Sequence, residues 1–255
     1  MHNFVIVGTQ RTGSSTLGEA VGLHPDVACG WEWTQRTLWW KKLKLAEQAL
    51  DGDFSGLLPH HREYMTKVFG AETEWLGFRR LFGASNKWLY HPRYSLTLLR
   101  DRFEAHIGWF RARPNLHIIH IIRRDNLDWL KSKFVAGKTN AFIGSAYPED
   151  LKVTIPIQEA IARIRAKHWI DIRLASLKNS NPYIPIIYED ILQNRQAVVK
   201  NALEFMQCDS DILPVSEGEI KRQSTGSTRD YIANYEQLVA ALNREDLLDG
   251  HEACL

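Results

Sequence analysis

The strongest constraint on this chain is the pattern near its start, where an apolar run enters a turn rich in glycine and hydroxyl side chains. Residues 4–8 read FVIVG, residues 9–16 read TQRTGSST, and apolar residues then recur at helical spacing. Such a pattern predicts a strand, a tight loop and a helix in direct succession. A loop of this kind aims backbone N–H groups, hydroxyls and the positive end of the helix dipole at one point. We therefore expect residues 9–16 to bind a phosphate or sulfate group.

The identity of the cation in this loop narrows the choice of ligand. The spacing of Gly8, Gly13 and the following hydroxyls nearly matches the nucleotide-binding loop of P-loop NTPases, but that motif requires a lysine where this chain has Ser14. NTPases use that lysine to bind the β- and γ-phosphates. Because the cation here is Arg11 instead, the loop favours a different anionic donor.

A second strand also ends in basic residues. Residues 116–122 form an almost continuous β-branched run, which is typical of a strand buried within a parallel sheet. Arg123 and Arg124 follow it directly. They could form a solvated charge pair, but the positive start of a helix is a poor place for cations unless an anion offsets them. We therefore favour a second anion-binding segment here.

Composition bounds the remaining choices. The chain has 255 residues, of which 44% are hydrophobic, so it can bury one sizeable core and is expected to form a single domain over residues 1–255. A net charge of +2 is too small to indicate nucleic acid or an anionic membrane as the main partner. The pair His60 and His61 is isolated, so we expect no metal site.

Cysteine usage and the apolar pattern indicate a compartment. Cys29, Cys208 and Cys254 are odd in number and far apart, which suits reduced thiols better than a disulfide framework. The first strand begins almost at once, and every apolar run is too short to span a bilayer. We therefore expect a cytoplasmic protein without a signal peptide or membrane insertion.

Together these segments resemble those of sulfotransferases that use 3′-phosphoadenosine 5′-phosphosulfate (PAPS). Residues 11–17 resemble the 5′-phosphosulfate loop of that family, and residues 124–127 and 188–190 are similar to strings found in its members. The resemblance implies that Arg124 and Ser132, eight residues apart, hold the 3′-phosphate of PAPS. It implies that Arg11 bridges the transferring sulfuryl group and the leaving phosphate oxygen. The implied contacts to the 5′-phosphosulfate are Arg11, Thr12, Gly13, Ser14, Ser15 and Thr16.

The same resemblance points to a catalytic base. Residues 24–32 resemble a segment of protein-tyrosine sulfotransferases, in which a glutamate at the position of Glu32 is the base. Trp31 and Trp33 flank Glu32, and desolvation by indole rings raises the pKa of a carboxyl group toward the range useful for proton abstraction. These tryptophans depart from the relatives and argue against a peptide acceptor. Without this resemblance, Glu32 would be interpreted as an acidic residue in the first turn of the next helix, where a negative charge is favourable. The alternative base is His91.

The C-terminal third supplies further candidates. Residues 221–229 are basic and rich in hydroxyls, and their position resembles that of the loop that closes over the nucleotide in sulfotransferases. The glycine-led motif of the cytosolic members is absent, so the contacts stay open among Arg222, Gln223, Ser224 and Arg229, with Arg222 preferred. We expect residues 137–156 to form a lid loop and residues 243–255 to form a tail.

Alternation along the chain predicts the fold. Strands at residues 4–8, 76–82, 116–122 and 183–188 alternate with helices, including a long amphipathic one over residues 157–175. This order indicates an α/β protein with a P-loop-like three-layer fold, in which helices cover both faces of a central parallel sheet. Pro185 predicts that its strand lies at an edge of the sheet or ends near this residue. We interpret His120 and His168 as core histidines.

The resemblance implies in-line transfer of the sulfuryl group of PAPS without a metal. The expected acceptor is a hydroxyl, in preference to an amine, of a small molecule or glycan. Two alternatives share the sheet and the loop: a phosphotransferase of the nucleotide-kinase type, and a nucleotide-binding module without catalysis. A kinase requires magnesium with ATP. A sulfotransferase is expected to bind 3′-phosphoadenosine 5′-phosphate (PAP) without metal.

Overall fold

The computed structural model describes residues 2–30, 39–69, 73–82, 96–139, 150–211 and 226–249. Its strands are β1 (His2–Thr9), β2 (Val27–Gly30), β3 (Trp75–Phe82), β4 (His117–Ile122) and β5 (Tyr183–Ile187). Its helices are α1 (Ser14–Val21), α2 (Trp39–Leu50), α3 (Pro59–Val68), α4 (Leu96–Arg111), α5 (Asn126–Thr139), α6 (Ile157–Ala175), α7 (Tyr188–Gln193), α8 (Arg195–Phe205), α9 (Thr228–Tyr231) and α10 (Tyr235–Arg244).

The five strands form one parallel sheet in the order β2-β3-β1-β4-β5. Strand β1 is therefore central, with Gly8 opposite Leu81 of β3 and opposite Ile121 of β4. In a parallel sheet all carboxyl ends meet at the same edge, which is where α/β proteins bind ligands. The loop after β1 and the loop after β4 consequently lie side by side.

Helices cover both faces of the sheet, as predicted. Val5 and Val7 of β1 pack in one apolar cluster with residues of α5 and α6, whereas Phe4 and Ile6 pack in a second cluster with residues of α1 and α8. Successive residues of a strand point to opposite faces. Both sets are fully buried, which explains why β1 and β4 read as continuous apolar runs rather than alternating ones. The predicted α/β class is confirmed.

Several predicted elements match the structure closely. Helix α6 has the predicted bounds, and β5 lies at an edge of the sheet, where Pro185 does not interrupt a central ladder. Strand β2 was not predicted, because four residues are too few for a periodic signal. Two helices lie near residue 231: α9 ends at Tyr231, Ile232 pairs with Val153, and α10 begins three residues later.

The described parts of the predicted lid and tail contact the rest of the protein. Residues 137–139 complete α5, and residues 140–149 lie outside the described residues. Ile155 is buried and exchanges two hydrogen bonds with the Asn234 side chain, so the end of the segment is fixed. In the C-terminal segment, the backbone carbonyl groups of Leu247 and Asp249 accept hydrogen bonds from the side-chain amide of Asn126. The described part of the tail is therefore packed against the start of α5.

The described residues include two cysteines, one buried and one half-buried. Cys29 and Cys208 are free thiols, and burial raises their pKa to about 12 and about 11 respectively. Both therefore stay protonated at neutral pH, which makes them poor nucleophiles. Within the described residues, every helix is too short or too polar to cross a membrane.

A buried ionic cluster joins α6 to the sheet. The Lys167 ammonium lies 2.9 Å from Asp171 Oδ2, the His120 ring nitrogen Nε2 lies 3.6 Å from Asp171 Oδ1, and all three side chains are buried. The other ring nitrogen of His120 is 2.7 Å from the hydroxyl of Tyr183. Burial alone would raise the pKa of Asp171, but Lys167 and His120 outweigh it and hold the pKa below its ordinary value. His120 is thus a core residue, as predicted.

We predict that Lys167→Met lowers the free energy of unfolding by roughly 3–5 kcal/mol at pH 7, because it leaves a buried carboxylate without its ammonium partner. In the wild type, the folded pKa of Asp171 lies below the unfolded pKa. The carboxylate therefore stabilises the fold above the unfolded pKa, and this is lost as pH falls through the folded pKa. Without Lys167, burial raises the folded pKa, so the deficit of the variant shrinks as acid protonates Asp171.

Urea unfolding of wild type and variant at pH 7 and at about pH 3 measures this effect. Lys200→Met is the matched control, since Lys200 is half exposed and pairs with Glu204 and Asp211 at the surface. It should change stability by no more than about 0.5 kcal/mol. An equal deficit of Lys167→Met at both pH values would show that the carboxylate is not responsible.

Candidate functional site

The loop between β1 and α1 has the conformation of an anion site. Arg11 and Gly13 both adopt left-handed backbone conformations, with φ of 69° and 82°. Gly13 caps α1 without a side-chain hydrogen bond, and the first turn of α1 contains no acidic residue. The N–H groups that open α1 therefore keep their capacity for an external anion. Ser15 and Thr16 are half-buried beside them.

Each glycine of the loop is required by a close approach. A Cβ on Gly8 would lie 2.6 Å from the carbonyl oxygen of Ile121, so any side chain would separate β1 from β4. A Cβ on Gly13 would lie 2.5 Å from the ring of Tyr188, and its φ also favours glycine. The hydroxyl of Thr12 donates to the carbonyl of Thr9 at 2.7 Å and closes the turn internally.

Helix α5 holds this loop through three side chains. Arg11 Nε donates to Ser132 Oγ at 2.8 Å, Trp129 Nε1 donates to the carbonyl of Gln10 at 2.9 Å, and Lys133 Nζ donates to Gln10 Oε1 at 2.8 Å. Arg11 and Ser132 were predicted to bind opposite ends of one nucleotide. The structure brings them into direct contact.

The two arginines after β4 differ in their surroundings. The Arg123 side chain is buried, donates to the carbonyl of Arg11 at 2.7 Å and forms an ion pair with Asp128. Its guanidinium carbon lies 4.3 Å from the ring centroid of Tyr188, a cation–π distance. The interpretation of Arg123 as part of a solvated charge pair is therefore wrong. Its buried side chain stabilises the loop by donating to the backbone of Arg11.

Arg124, in contrast, is exposed at the carboxyl end of β4. Its backbone N–H donates to Glu189 at 3.1 Å, and the N–H of Asp125 donates to the same carboxylate at 3.0 Å. Glu189 thus caps the start of α5 from a different helix, α7. Because Arg123 is committed to protein contacts, its exposed neighbour is better placed to meet a soluble anion.

A buried carboxylate lies behind both loops. Asp128 forms ion pairs with Arg123 and Lys131, and it accepts a hydrogen bond from the hydroxyl of Thr228 at 3.0 Å. Burial by itself would raise the pKa of Asp128, but Arg123 and Lys131 outweigh it and hold the pKa well below its usual range. Asp128 is therefore ionised at neutral pH and connects β4, α5 and α9.

Some predicted site residues cannot be placed, and some important ones were missed. Tyr188 and Glu189 lie in the string at residues 188–190, to which the sequence assigned no role. Asp128 had no sequence signal beyond its position near two arginines. Arg229 pairs with Glu236 at 2.7 Å at the surface. The base candidates and three predicted nucleotide contacts lie outside the described residues: Glu32, His91, Arg222, Gln223 and Ser224.

Within the described residues, no cluster of three or more histidine, cysteine, aspartate or glutamate side chains is arranged to hold a metal ion. The positive charges at the sheet edge come from arginine and lysine side chains and from the start of α1.

Solved structures similar to this chain include a sulfotransferase from Alicyclobacillus acidocaldarius, with a TM-score of 0.48 and 16% identity, covering 97% of this chain and 96% of that one. They also include the sulfotransferase domain of the Synechococcus PCC 7002 olefin synthase, with a TM-score of 0.45 and 13% identity, covering 95% and 86% of the two chains.

Curated relatives and a family model cover nearly the same span. Nodulation protein H of Rhizobium meliloti strain 1021 is 26% identical over 245 residues, which are 92% of this chain and 89% of that protein. A second nodulation protein H from Rhizobium meliloti is 25% identical over 244 residues. The model of the sulfotransferase family matches residues 3–211. Since this match includes the sheet and both basic strand ends, the chain belongs to the sulfotransferase family.

Proposed function

We propose that this sulfotransferase transfers the sulfuryl group of PAPS to a hydroxyl, in preference to an amine, of a small molecule or glycan. The observation that carries the proposal is the hydrogen bond between Arg11 and Ser132. PAPS bears its 5′-phosphosulfate and its 3′-phosphate on a single ribose, so the two anion sites must be neighbours. The contact joins the loop expected to bind one group to the helix expected to bind the other.

At the 5′ end, the proposed contacts are the N–H groups and hydroxyls of the loop and the first turn of α1. Donors that are already oriented toward the place where charge develops stabilise a transition state without further reorganisation. The side chain of Arg11 offsets the negative charge that grows on the phosphate oxygen as its bond to sulfur breaks. PAPS supplies the sulfuryl group, and PAP is released.

At the 3′ end, the proposed contacts are the guanidinium of Arg124 and the hydroxyl of Ser132. The exposure of Arg124 and the position of Ser132 beside Arg11 support this assignment. Arg222, Gln223 and Ser224 are proposed to add contacts from the C-terminal segment. That segment leads to Thr228, whose hydroxyl donates to Asp128 behind the same loop.

Glu32 is the proposed base. Strand β2 ends at Gly30, so its carboxyl end lies at the edge of the sheet that carries the anion loop, and Glu32 follows two residues later. As the acceptor oxygen forms its bond to sulfur, the proton of the hydroxyl moves to the carboxylate. We further propose that the protein works without a metal and in the cytoplasm, where free thiols such as Cys29 and Cys208 stay reduced.

The donor assignment is tested by titration calorimetry with PAP and with ATP. We expect PAP to bind equally well with EDTA and with magnesium, because arginine, serine and backbone groups supply all proposed contacts. Binding of ATP only in the presence of magnesium, without binding of PAP, would instead establish a nucleotide-kinase-type phosphotransferase. PAP binding without transfer to any acceptor in a screen with labelled PAPS would indicate a binding module.

We predict that Arg124→Ala lowers the affinity for PAP roughly tenfold to a hundredfold, since a hydrogen bond to a charged group contributes roughly 1.5–3 kcal/mol. Adenosine 5′-phosphosulfate, which has a 3′-hydroxyl, should lose much less affinity. Arg165→Ala is the control, because Arg165 is an exposed arginine of α6 that pairs with Glu245 at the surface. Equal losses for the two nucleotides would exclude Arg124 from the 3′-phosphate site.

We predict that Glu32→Gln lowers kcat by roughly two to four orders of magnitude, the usual contribution of a general base, and leaves the Kd of PAP nearly unchanged. Steady-state transfer of the labelled sulfuryl group at saturating PAPS and acceptor measures the first quantity, and calorimetry measures the second. The same pair of measurements on His91→Gln tests the alternative base. A loss of turnover in the histidine variant alone would move the role to His91.

A further inference from the structure

We propose that Asp128 is a positioning residue for the donor site: it fixes the shape of the anion-binding loop and ties the C-terminal segment to it. This inference rests on the proposed function. Asp128 is 5% exposed, and its carboxylate contacts side chains from three parts of the chain. Those side chains are Arg123 after β4, Lys131 within α5 and Thr228 at the start of α9.

One arm of this arrangement runs to the anion loop. Arg123 uses one terminal nitrogen for Asp128 and the other for the carbonyl of Arg11. Because a guanidinium is planar and rigid, holding one nitrogen fixes the direction of the other. Arg11 is a non-glycine residue in a left-handed conformation, which is unfavourable for a residue with a Cβ. The hydrogen bond from Arg123 holds its carbonyl and helps to maintain this conformation.

The second arm runs to the C-terminal segment. The hydroxyl of Thr228 donates to Asp128, while Lys131 Nζ lies 3.5 Å from the same hydroxyl and 5.7 Å from the ring centroid of Tyr231. Ser227 and Asp230 form a reciprocal cap that fixes the first turn of α9. The residues that precede this anchored turn are those proposed to meet the nucleotide. Asp128 therefore links the supports of both ends of the donor site.

The fold offers a matched control for the structural effect of a buried carboxylate. Asp171 is buried as well, with 1% exposure, and also contacts two basic side chains, Lys167 and His120. The contacts described for it join α6 to β4 rather than to either loop. Changing Asp128 or Asp171 to asparagine removes one buried negative charge in each case, so both variants should lose stability by a similar mechanism. Only the first should alter nucleotide binding.

The experiment compares Asp128→Asn with Asp171→Asn by calorimetry, steady-state kinetics and proteolysis. For Asp128→Asn we expect Kd for PAP and KM for PAPS to rise roughly tenfold to a hundredfold, the effect of one lost charge-assisted contact. Adenosine 5′-phosphosulfate should lose affinity by a similar factor, because the fault lies in the 5′ loop. This distinguishes the variant from Arg124→Ala. Asp171→Asn should keep wild-type values for both nucleotides.

Trypsin cleavage at residues 221–229 reports on the second arm. PAP should protect these sites in wild type and Asp171→Asn, but not in Asp128→Asn. If Asp128→Asn does not fold, Arg123→Lys and Thr228→Val test the two arms separately. Arg123→Lys keeps the positive charge but cannot donate from two terminal nitrogens at once. Thr228→Val removes only the hydroxyl group. Loss of nucleotide affinity in the first and of protection in the second would support the proposal.

The outcomes separate this inference from the proposed function. Failure of the wild-type protein to bind PAP would remove the donor assignment itself. Normal binding by the wild type, with equal affinities in Asp128→Asn and Asp171→Asn, would overturn the role of Asp128 and leave the donor assignment intact. If Asp128→Asn is unfolded, wild-type affinity in Arg123→Lys together with normal protection in Thr228→Val would also overturn it.

Discussion

The close pairing of β1 with β4 is the constraint on which the site depends. Gly8 has no side chain, so the carbonyl of Ile121 can approach to within 2.6 Å of the position that a Cβ would occupy. This approach sets the loops that follow the two strands against each other. The contacts of Arg11 with Ser132 and Arg123 both span this junction. A wider separation would part the two strand ends to which we assign the two anionic groups of the proposed donor.

Contacts within the protein hold the loop after β1 in one conformation. Left-handed backbone at Arg11 and an uncapped start of α1 are both unfavourable in isolation. Hydrogen bonds from Trp129, Lys133 and Arg123 to the backbone and side chain of residues 10 and 11 offset this cost. Because these donors come from one helix and one strand end, the loop has little freedom to lose on binding. Arg11 and Lys133 concentrate positive charge locally in a chain with a net charge of only +2.

The sequence predicted those features whose signal is local. Strands β1 and β4 are buried on both faces and read as apolar runs, and α6 combines length with a regular stripe, so each was recognisable. Strand β2 has four residues, and the break after Tyr231 depends on pairing between Ile232 and Val153, which are far apart in the chain. The spacing of Arg124 and Ser132 could be recognised, but the contact of Ser132 with Arg11 spans 121 positions and has no local pattern.

Adjacent arginines at the end of a strand also explain why sequence alone could not assign roles after β4. Neighbouring residues of an extended chain point in opposite directions. One arginine therefore turns into the protein and the other stays in solvent, although the letters are identical. The buried one needs a carboxylate, which Asp128 provides, and the exposed one needs its backbone held, which Glu189 provides. An acidic residue near two arginines reads as an ordinary surface pair until burial is known, so the carboxylates that organise this site carry no distinguishing sequence signal.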